Sequence, residues 1–160
     1  MSKPIDKLDF WKERIDTAKK PHFSVYVTSE NDWKRIFDSH KKIIESLIDK
    51  NDKVLDAGCG YGRMSTLFNP NNYVGVDFSP DFINWSAKDN SKYKFVCSNL
   101  KSLPFKDKEF DWSFCVSIKK MIIDNLGDKE WNDIEKELLR VSKKVLILEY
   151  EDYLTHEIIK

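Results

Sequence analysis

The chain has 160 residues, and its 27 lysines and arginines balance 27 aspartates and glutamates, leaving no net charge at pH 7. Such a balance supplies no electrostatic drive toward nucleic acid or an anionic membrane surface. No apolar stretch approaches membrane-spanning length, and Met1 to Asp6 lacks the apolar region of a signal peptide, so the cytoplasm is the expected location.

Leu8, Trp11, Ile15 and Ala18 fall at helical spacing and predict a first amphipathic helix, stopped by Pro21. His22 to Val27 alternates loosely, as a short strand or an ordered loop would. Ser29 followed by Asp32 reads as a capping box. The helix it opens places Trp33, Ile36, Phe37, His40, Ile44, Leu47 and Ile48 on one face. Five short apolar runs follow: Val54-Leu55, Tyr73 to Val76, Tyr93 to Cys97, Trp112 to Val116, and Val145 to Leu148. Helical segments separate them, the clearest being Trp131 to Val141 with Ile134, Leu138 and Val141 inward. Strands alternating with helices imply parallel pairing and right-handed crossovers. The expected architecture is therefore α/β, a three-layer sandwich whose mostly parallel sheet has about five strands. There is no repeat, low-complexity tract or linker, so residues 1–160 read as one domain. Within it, residues 1–50 form an N-terminal helical cover and 51–150 a ligand-binding core. Cys59, Cys97 and Cys115 are odd in number and lack metal-ligand spacing, which favours reduced, packed thiols and no metal site.

The segment Val54-Leu55-Asp56-Ala57-Gly58-Cys59-Gly60-Tyr61-Gly62-Arg63 carries the chemistry. An apolar strand runs into a glycine loop, after which a helical pattern is expected to resume. Glycine lets backbone turn tightly and press against a ligand, and α/β sheets receive nucleotide-like ligands at the carboxyl ends of their strands. The dinucleotide fingerprint needs glycine at its sixth position, which is Arg63 here, so the pyrophosphate version is disfavoured. Asp56, two residues before the first glycine, suits a cationic ligand better than a phosphate. The next strand ends in Val76-Asp77-Phe78-Ser79-Pro80. There a carboxylate can accept both ribose hydroxyls, and the adjacent aromatic can cover a purine face. The alternative role for Asp77, capping the helix that follows, is compatible, although Ser79 with Pro80 is the better N-cap pair.

Val54 to Arg63, Val76 to Pro80, Leu103-Pro104-Phe105 and Phe110-Asp111 together resemble the successive motifs of class I S-adenosylmethionine-dependent methyltransferases. The resemblance covers residues 53 to 150 in the family's order and spacing. It implies a Rossmann-like methyltransferase sheet and S-adenosylmethionine as cofactor. It further implies that Asp56, Gly58 and Gly60 shape the pocket for the methionine portion, with backbone from Cys59 to Tyr61 close by. Asp77 would hold the ribose, and Phe78 would lie beside it. The family's acid for the adenine amino group is replaced by Asn99, whose amide oxygen can still accept that bond, and the backbone of Leu100 would add a donor. Leu103-Pro104-Phe105 reads as a tight loop with a hydrophobic plug, and Asp111 as a residue at the amino end of the fourth strand. Val116, Ser117, Ile118, Lys119, Lys120 and Met121 would pass beneath the sulfonium and line the acceptor path.

The implied reaction is in-line transfer of the sulfonium methyl, in which the protein chiefly aligns the reacting groups. No Asn/Asp-Pro-Pro-Tyr/Phe sequence follows the fourth strand, which argues against a base-flipping amino methyltransferase of that type. The leading expectation is a methyltransferase acting on a small-molecule acceptor. Lys119 and Lys120 are either an attraction for an anionic substrate or solvated helix residues. His22, Tyr26 and Tyr61 are candidates for acceptor contact, each with an ordinary packing or surface role as the alternative, and no catalytic residue is assigned. Phe10 to Val27 would act as a lid, with Trp11, Phe23, Tyr26 and Trp33 as an apolar wall or as core.

Relatives complete the sheet with a further helix and an antiparallel hairpin. Here only Glu151 to Lys160 follow the fifth strand, enough for a short helix or one strand. The fifth strand would then lie at an edge, as a five-stranded monomer, in a homodimer, or covered by a partner chain. A non-catalytic or activator subunit, or other chemistry on the same cofactor, stands beside the methyltransferase reading.

Overall fold

A computed structural model describes residues 29–150 and 154–160, together with 12–13 and 15–17. The segment from His22 to Val27, and most of the first expected helix and of the lid from Phe10 to Val27, lie outside the described residues. Helix α1, Glu30–Leu47, opens as expected: the Ser29 hydroxyl oxygen accepts the Asp32 amide at 3.1 Å, and its O–H donates to the Asp32 carboxylate at 2.8 Å. Then come β1 (Val54–Ala57), β2 (Tyr73–Asp77), α2 (Pro80–Asp89), β3 (Lys94–Cys97), β4 (Phe110–Val116), α3 (Lys119–Leu126), α4 (Asp128–Val141), β5 (Ser142–Tyr150) and β6 (Leu154–Ile159).

The strands form one six-stranded sheet in the order β3-β2-β1-β4-β5-β6, parallel except for β6. One face carries Leu55, Ala57, Val76, Cys115, Val145 and Ile147 under α3 and α4, through Ile122, Trp131, Ile134 and Leu138. The other carries Val54, Trp112, Phe114, Leu146 and Leu148 under α1, through Ile44 and the C-cap residue Ile48. The central strands are buried on both faces, so they read as continuous apolar runs rather than alternating ones. These layers are the expected α/β sandwich. No described helix is long and apolar enough to cross a membrane.

Two expectations are corrected. The fifth strand is not an edge: β6 returns antiparallel along it, with Val145 opposite Ile159 and Leu148 opposite His156. Hydrogen-bonding groups on β5 are thus met in the same chain, and neither a homodimer nor a partner chain is required to cover that edge. The second correction falls after the glycine loop, where no α-helix forms. Only ten residues, 63–72, separate the loop from β2, and Pro70 cannot continue a helix in their middle. The crossover is made instead by two 3-10 turns, Ser65–Leu67 and Pro70–Asn72. Any ligand at the loop therefore meets backbone and side chains there, not the N-terminus of a following α-helix.

The Leu103-Pro104-Phe105 loop behaves as the plug expected of it. Leu103 is buried, Phe105 meets Phe110 edge-on at 5.0 Å, and Arg140 donates to the carbonyls of Leu103 and Phe105. Asp111 lies at the amino end of β4, accepting the Lys53 amide and pairing with Lys143 at 2.7 Å.

Candidate functional site

Loops after β1, β2, β3 and β4 converge at the carboxyl edge of the sheet. The glycine loop is fastened to β2: the amides of Gly58 and Cys59 both donate to the Val76 carbonyl, at 2.8 and 2.9 Å. Gly60 donates its amide to Asp77 Oδ2 at 2.9 Å, and the Ser79 amide donates to Asp77 Oδ1 at 3.0 Å. Asp77 thus anchors the glycine loop and turns the chain into α2, whose N-cap is Ser79. Burial raises its carboxyl above the ordinary carboxylate range, against the pull of the Ser79, Gly60 and Phe78 amides. A carboxylate has about four lone-pair sites, so these amides leave capacity for a ligand.

Phe78, beside Asp77, is 37% exposed, unusual for a phenylalanine and suited to covering a flat ring. Ser98 donates its amide to the Asp77 carbonyl, which brings the β3 loop alongside. In that loop Asn99 is exposed, and its Oδ1 accepts the Lys101 amide at 2.9 Å, leaving one lone pair on that oxygen. Leu100 packs half-buried against the α3–α4 face of the core.

Gly60 (φ +53°) faces open space, with nothing within 4 Å of where a side chain would begin. Gly62 (φ +77°) is the opposite case. A Cβ there would come within 2.8 Å of the Phe95 ring, so Gly62→Ala combines left-handed strain with a clash. It is expected to cost about 2 kcal/mol of folding stability in urea unfolding; an unchanged midpoint would show that Phe95 moves freely.

Val116, half-buried at the end of β4, leads into Ser117, a non-glycine residue at φ +57°. Ile118 follows, and its side chain comes within 3.1 Å of where a Cβ on Gly58 would sit. The β4 loop and the glycine loop therefore close on each other. Lys119 and Lys120 are not free charges: Lys119 pairs with Glu157 at 2.8 Å and Lys120 with Asp124 at 2.9 Å. That favours the surface-helix reading over anion attraction. Tyr61 accepts the Trp33 indole N–H at 2.7 Å and so ties the loop to α1. His22 and Tyr26 lie outside the described residues.

Asp56 heads a cluster that strand pattern alone does not disclose. Its Oδ2 accepts the Tyr73 hydroxyl at 2.7 Å, while Oδ1 has no donor among the described residues. Burial pushes the carboxyl up to about 7, against the Tyr73 hydrogen bond and the positive charge of Arg63. His40, fully buried on α1, is held down to about 3, first by burial and then by Arg63. Cys59 is buried, and burial raises its thiol well above the usual range, as expected of a packed, reduced cysteine. Sequence reasoning missed Tyr73 and Arg63 as site residues. Arg63 had a visible signal, its place directly after the last glycine, but Tyr73 is known only through its partner. Among the described residues no group of three or more His, Cys, Asp or Glu could hold a metal ion.

A doubly fastened glycine loop, a carboxylate at the end of the second strand and an exposed aromatic beside it meet at the carboxyl edge of a parallel α/β sheet. Residues 55–145 match the methyltransferase domain family, and the chain belongs to it. An uncharacterized protein of Methanocaldococcus jannaschii is 30% identical over 123 residues, covering 76% of this chain and 52% of that protein. A Pyrococcus horikoshii protein of known structure shares 26% identity at a TM-score of 0.65, covering 82% of this chain and 66% of that one. An S-adenosylmethionine-dependent methyltransferase of Methanosarcina mazei shares 27% identity at a TM-score of 0.59, covering 68% of this chain and 57% of that one. The chain thus spans about half the length of the curated relative. The fold is that of the class I methyltransferases, whose cofactor is S-adenosylmethionine. The residues present fit that group: Gly60 leaves room, Asp77 keeps acceptor capacity and Phe78 offers an exposed ring.

Proposed function

We propose that the chain is an S-adenosylmethionine-dependent methyltransferase acting on a small-molecule acceptor. The observation carrying this reading is Asp77, buried at the carboxyl end of β2, accepting the Gly60 and Ser79 amides, with Phe78 exposed beside it. Asp77 would accept the ribose hydroxyls and Phe78 would cover one face of the adenine. Asn99 would use its remaining lone pair for the adenine amino group, and the Leu100 backbone would donate to the ring. Asp56, Gly58, Cys59, Gly60 and Tyr61 would bound the methionine portion, and Val116 would line the path beneath it. When bound, the cofactor supplies an electrophilic methyl group and its own leaving group. The protein's share is therefore to hold the acceptor in line and keep water out. Residues 1–50 would form the cover that chooses the acceptor, over a cofactor core of residues 51–150 in one domain. No side chain is assigned as a general base, which an amine acceptor does not need.

Calorimetry with S-adenosylmethionine and S-adenosylhomocysteine tests the reading, followed by methyl transfer to a fractionated metabolite extract. Failure of both ligands to bind refutes it. Binding of both with no transfer to any fraction would favour a non-catalytic subunit or other chemistry on the same cofactor.

A further inference from the structure

Residues 98–109 connect β3 to β4 without a helix. Crossovers between parallel strands are ordinarily helical, so this one takes its shape from partners outside it rather than from a ladder of its own. At its start, Ser98 donates its amide to the Asp77 carbonyl at 3.0 Å, which fixes the chain to β2. Further along, Leu103 is buried, and α4 takes both of its backbone polar groups. Glu137 Oε1 accepts the Leu103 amide at 2.8 Å, and Arg140 Nη2 donates to the Leu103 carbonyl at 3.1 Å. The two α4 side chains also grip each other, Arg140 Nε on Glu137 Oε2 at 2.8 Å and Nη2 on Oε1 at 2.7 Å. A forked, charge-assisted pair fixes direction as well as distance, and the Glu137 side chain is only 14% exposed.

Between these two fixed points lies the turn from Asn99 to Ser102, closed by the Ser102 amide on the Asn99 carbonyl at 3.1 Å. Lys101 within it pairs with Glu130, a further α4 carboxylate, at 3.0 Å. The turn is thus placed by β2 on one side and α4 on the other. We propose that Glu137 and Arg140 are positioning residues for base selection: by clamping Leu103 they hold the Asn99–Leu100 turn where it distinguishes a 6-aminopurine from a 6-oxopurine. The physical basis is a reversal of polarity. A 6-aminopurine offers its amino donor to Asn99 Oδ1 and an unprotonated ring nitrogen to the Leu100 amide. A 6-oxopurine presents an acceptor and a donor at those same two places, so both contacts turn repulsive. Reading that difference needs the turn held within about 0.5 Å, which stacking on Phe78 does not. Neither α4 side chain touches the ligand in this role. The inference rests on the reading of the site as an S-adenosylmethionine site.

Calorimetry with S-adenosylhomocysteine and with its inosine counterpart, in which oxygen replaces the 6-amino group, tests the proposal. The native chain should prefer S-adenosylhomocysteine by at least about tenfold. Glu137→Ala should cut that preference to within about threefold, by weakening S-adenosylhomocysteine and sparing the inosine ligand. Glu137→Gln, which keeps an oxygen for the Leu103 amide, should restore part of it. A pair that served stability alone would lower the unfolding midpoint and weaken both ligands alike. An unchanged ratio of the two affinities in Glu137→Ala therefore overturns the proposal, whatever happens to the midpoint. Should that variant fail to fold, Arg140→Lys carries the test, because it keeps the charge and loses the fork. A reduced preference in it supports the proposal, and a native one overturns it. A native chain that binds neither ligand overturns the cofactor reading itself. One that binds both equally overturns only base selection by this turn.

Discussion

Asp77→Ala is expected to lose at least about tenfold in affinity for S-adenosylhomocysteine and about 2–3 kcal/mol of folding stability. The two losses have different origins. Stability falls because the Gly60 and Ser79 amides lose their acceptor at a site where Asp77 is 6% exposed. Each buried donor left unmade costs about 1–3 kcal/mol. Affinity falls because the same carboxylate is proposed to accept the ribose hydroxyls. Asp77→Asn separates the effects. Its amide oxygen can still accept from Ser79, so stability should recover in part, but its NH₂ replaces an acceptor and ribose binding should not recover. Comparing S-adenosylhomocysteine with its 2′,3′-dideoxy analogue completes the test. If Asp77→Ala weakens both ligands equally, the residue anchors the loop and does not read the ribose.

The second expectation concerns pH. Asp56 titrates at about 7 in the folded chain against 3.8 for an unperturbed aspartate. The folded state therefore binds its proton more tightly, and the stability this contributes is full below about pH 4 and lost as pH rises to about 7. His40 does the reverse: at about 3 against 6.5, its contribution is full above 6.5 and lost as pH falls toward 3. The two slopes occupy the same window with opposite sign, so in the native chain they largely cancel. Single substitutions should expose them. Asp56→Asn, which can still accept the Tyr73 hydroxyl, should become steeply less stable on acidification below about 6.5. His40→Gln should become less stable as pH rises from about 4 to about 7. Each slope should reach about 2–4 kcal/mol across the window in urea unfolding. Two variants whose profiles run parallel to the native chain would show that neither group is perturbed as the burial of the site requires.

Both expectations concern side chains whose importance the sequence disclosed unequally. Asp77 was legible as a candidate because its position follows from local order: an apolar strand, an acid at its end, then Ser79 and Pro80 to start a helix. The same holds for the Ser29 cap, the five runs that became β1 to β5, and the Leu103 to Phe105 plug. Periodicity, turn chemistry and capping are properties of a few neighbouring residues, so a linear reading finds them. His40 was placed on the correct helix face, but nothing local indicated that it would share its surroundings with Arg63.

Nonlocal pairing decided the rest. The helix expected after the glycine loop gave way to 3-10 turns because the distance to β2 is fixed by the parallel pairing of β1 and β2, not by propensity. Residues 154–159 became β6, pairing antiparallel with β5 and moving the edge of the sheet from β5 to β6. Register also built the interior of the site. Asp56 lies opposite Gly75, where a Cβ would come within 2.9 Å of the Cys59 sulfur and 2.7 Å of the Phe95 ring. That missing side chain admits both groups beneath the loop, while Tyr73, two residues earlier, reaches Asp56. By itself the sequence determined the layered α/β fold, the glycine loop and the carboxylate that follows it, because each is encoded within one strand and its turn. The Asp56, Tyr73, His40 and Arg63 cluster was decided only by tertiary structure, because its members are neighbours through strand register and helix docking rather than along the chain.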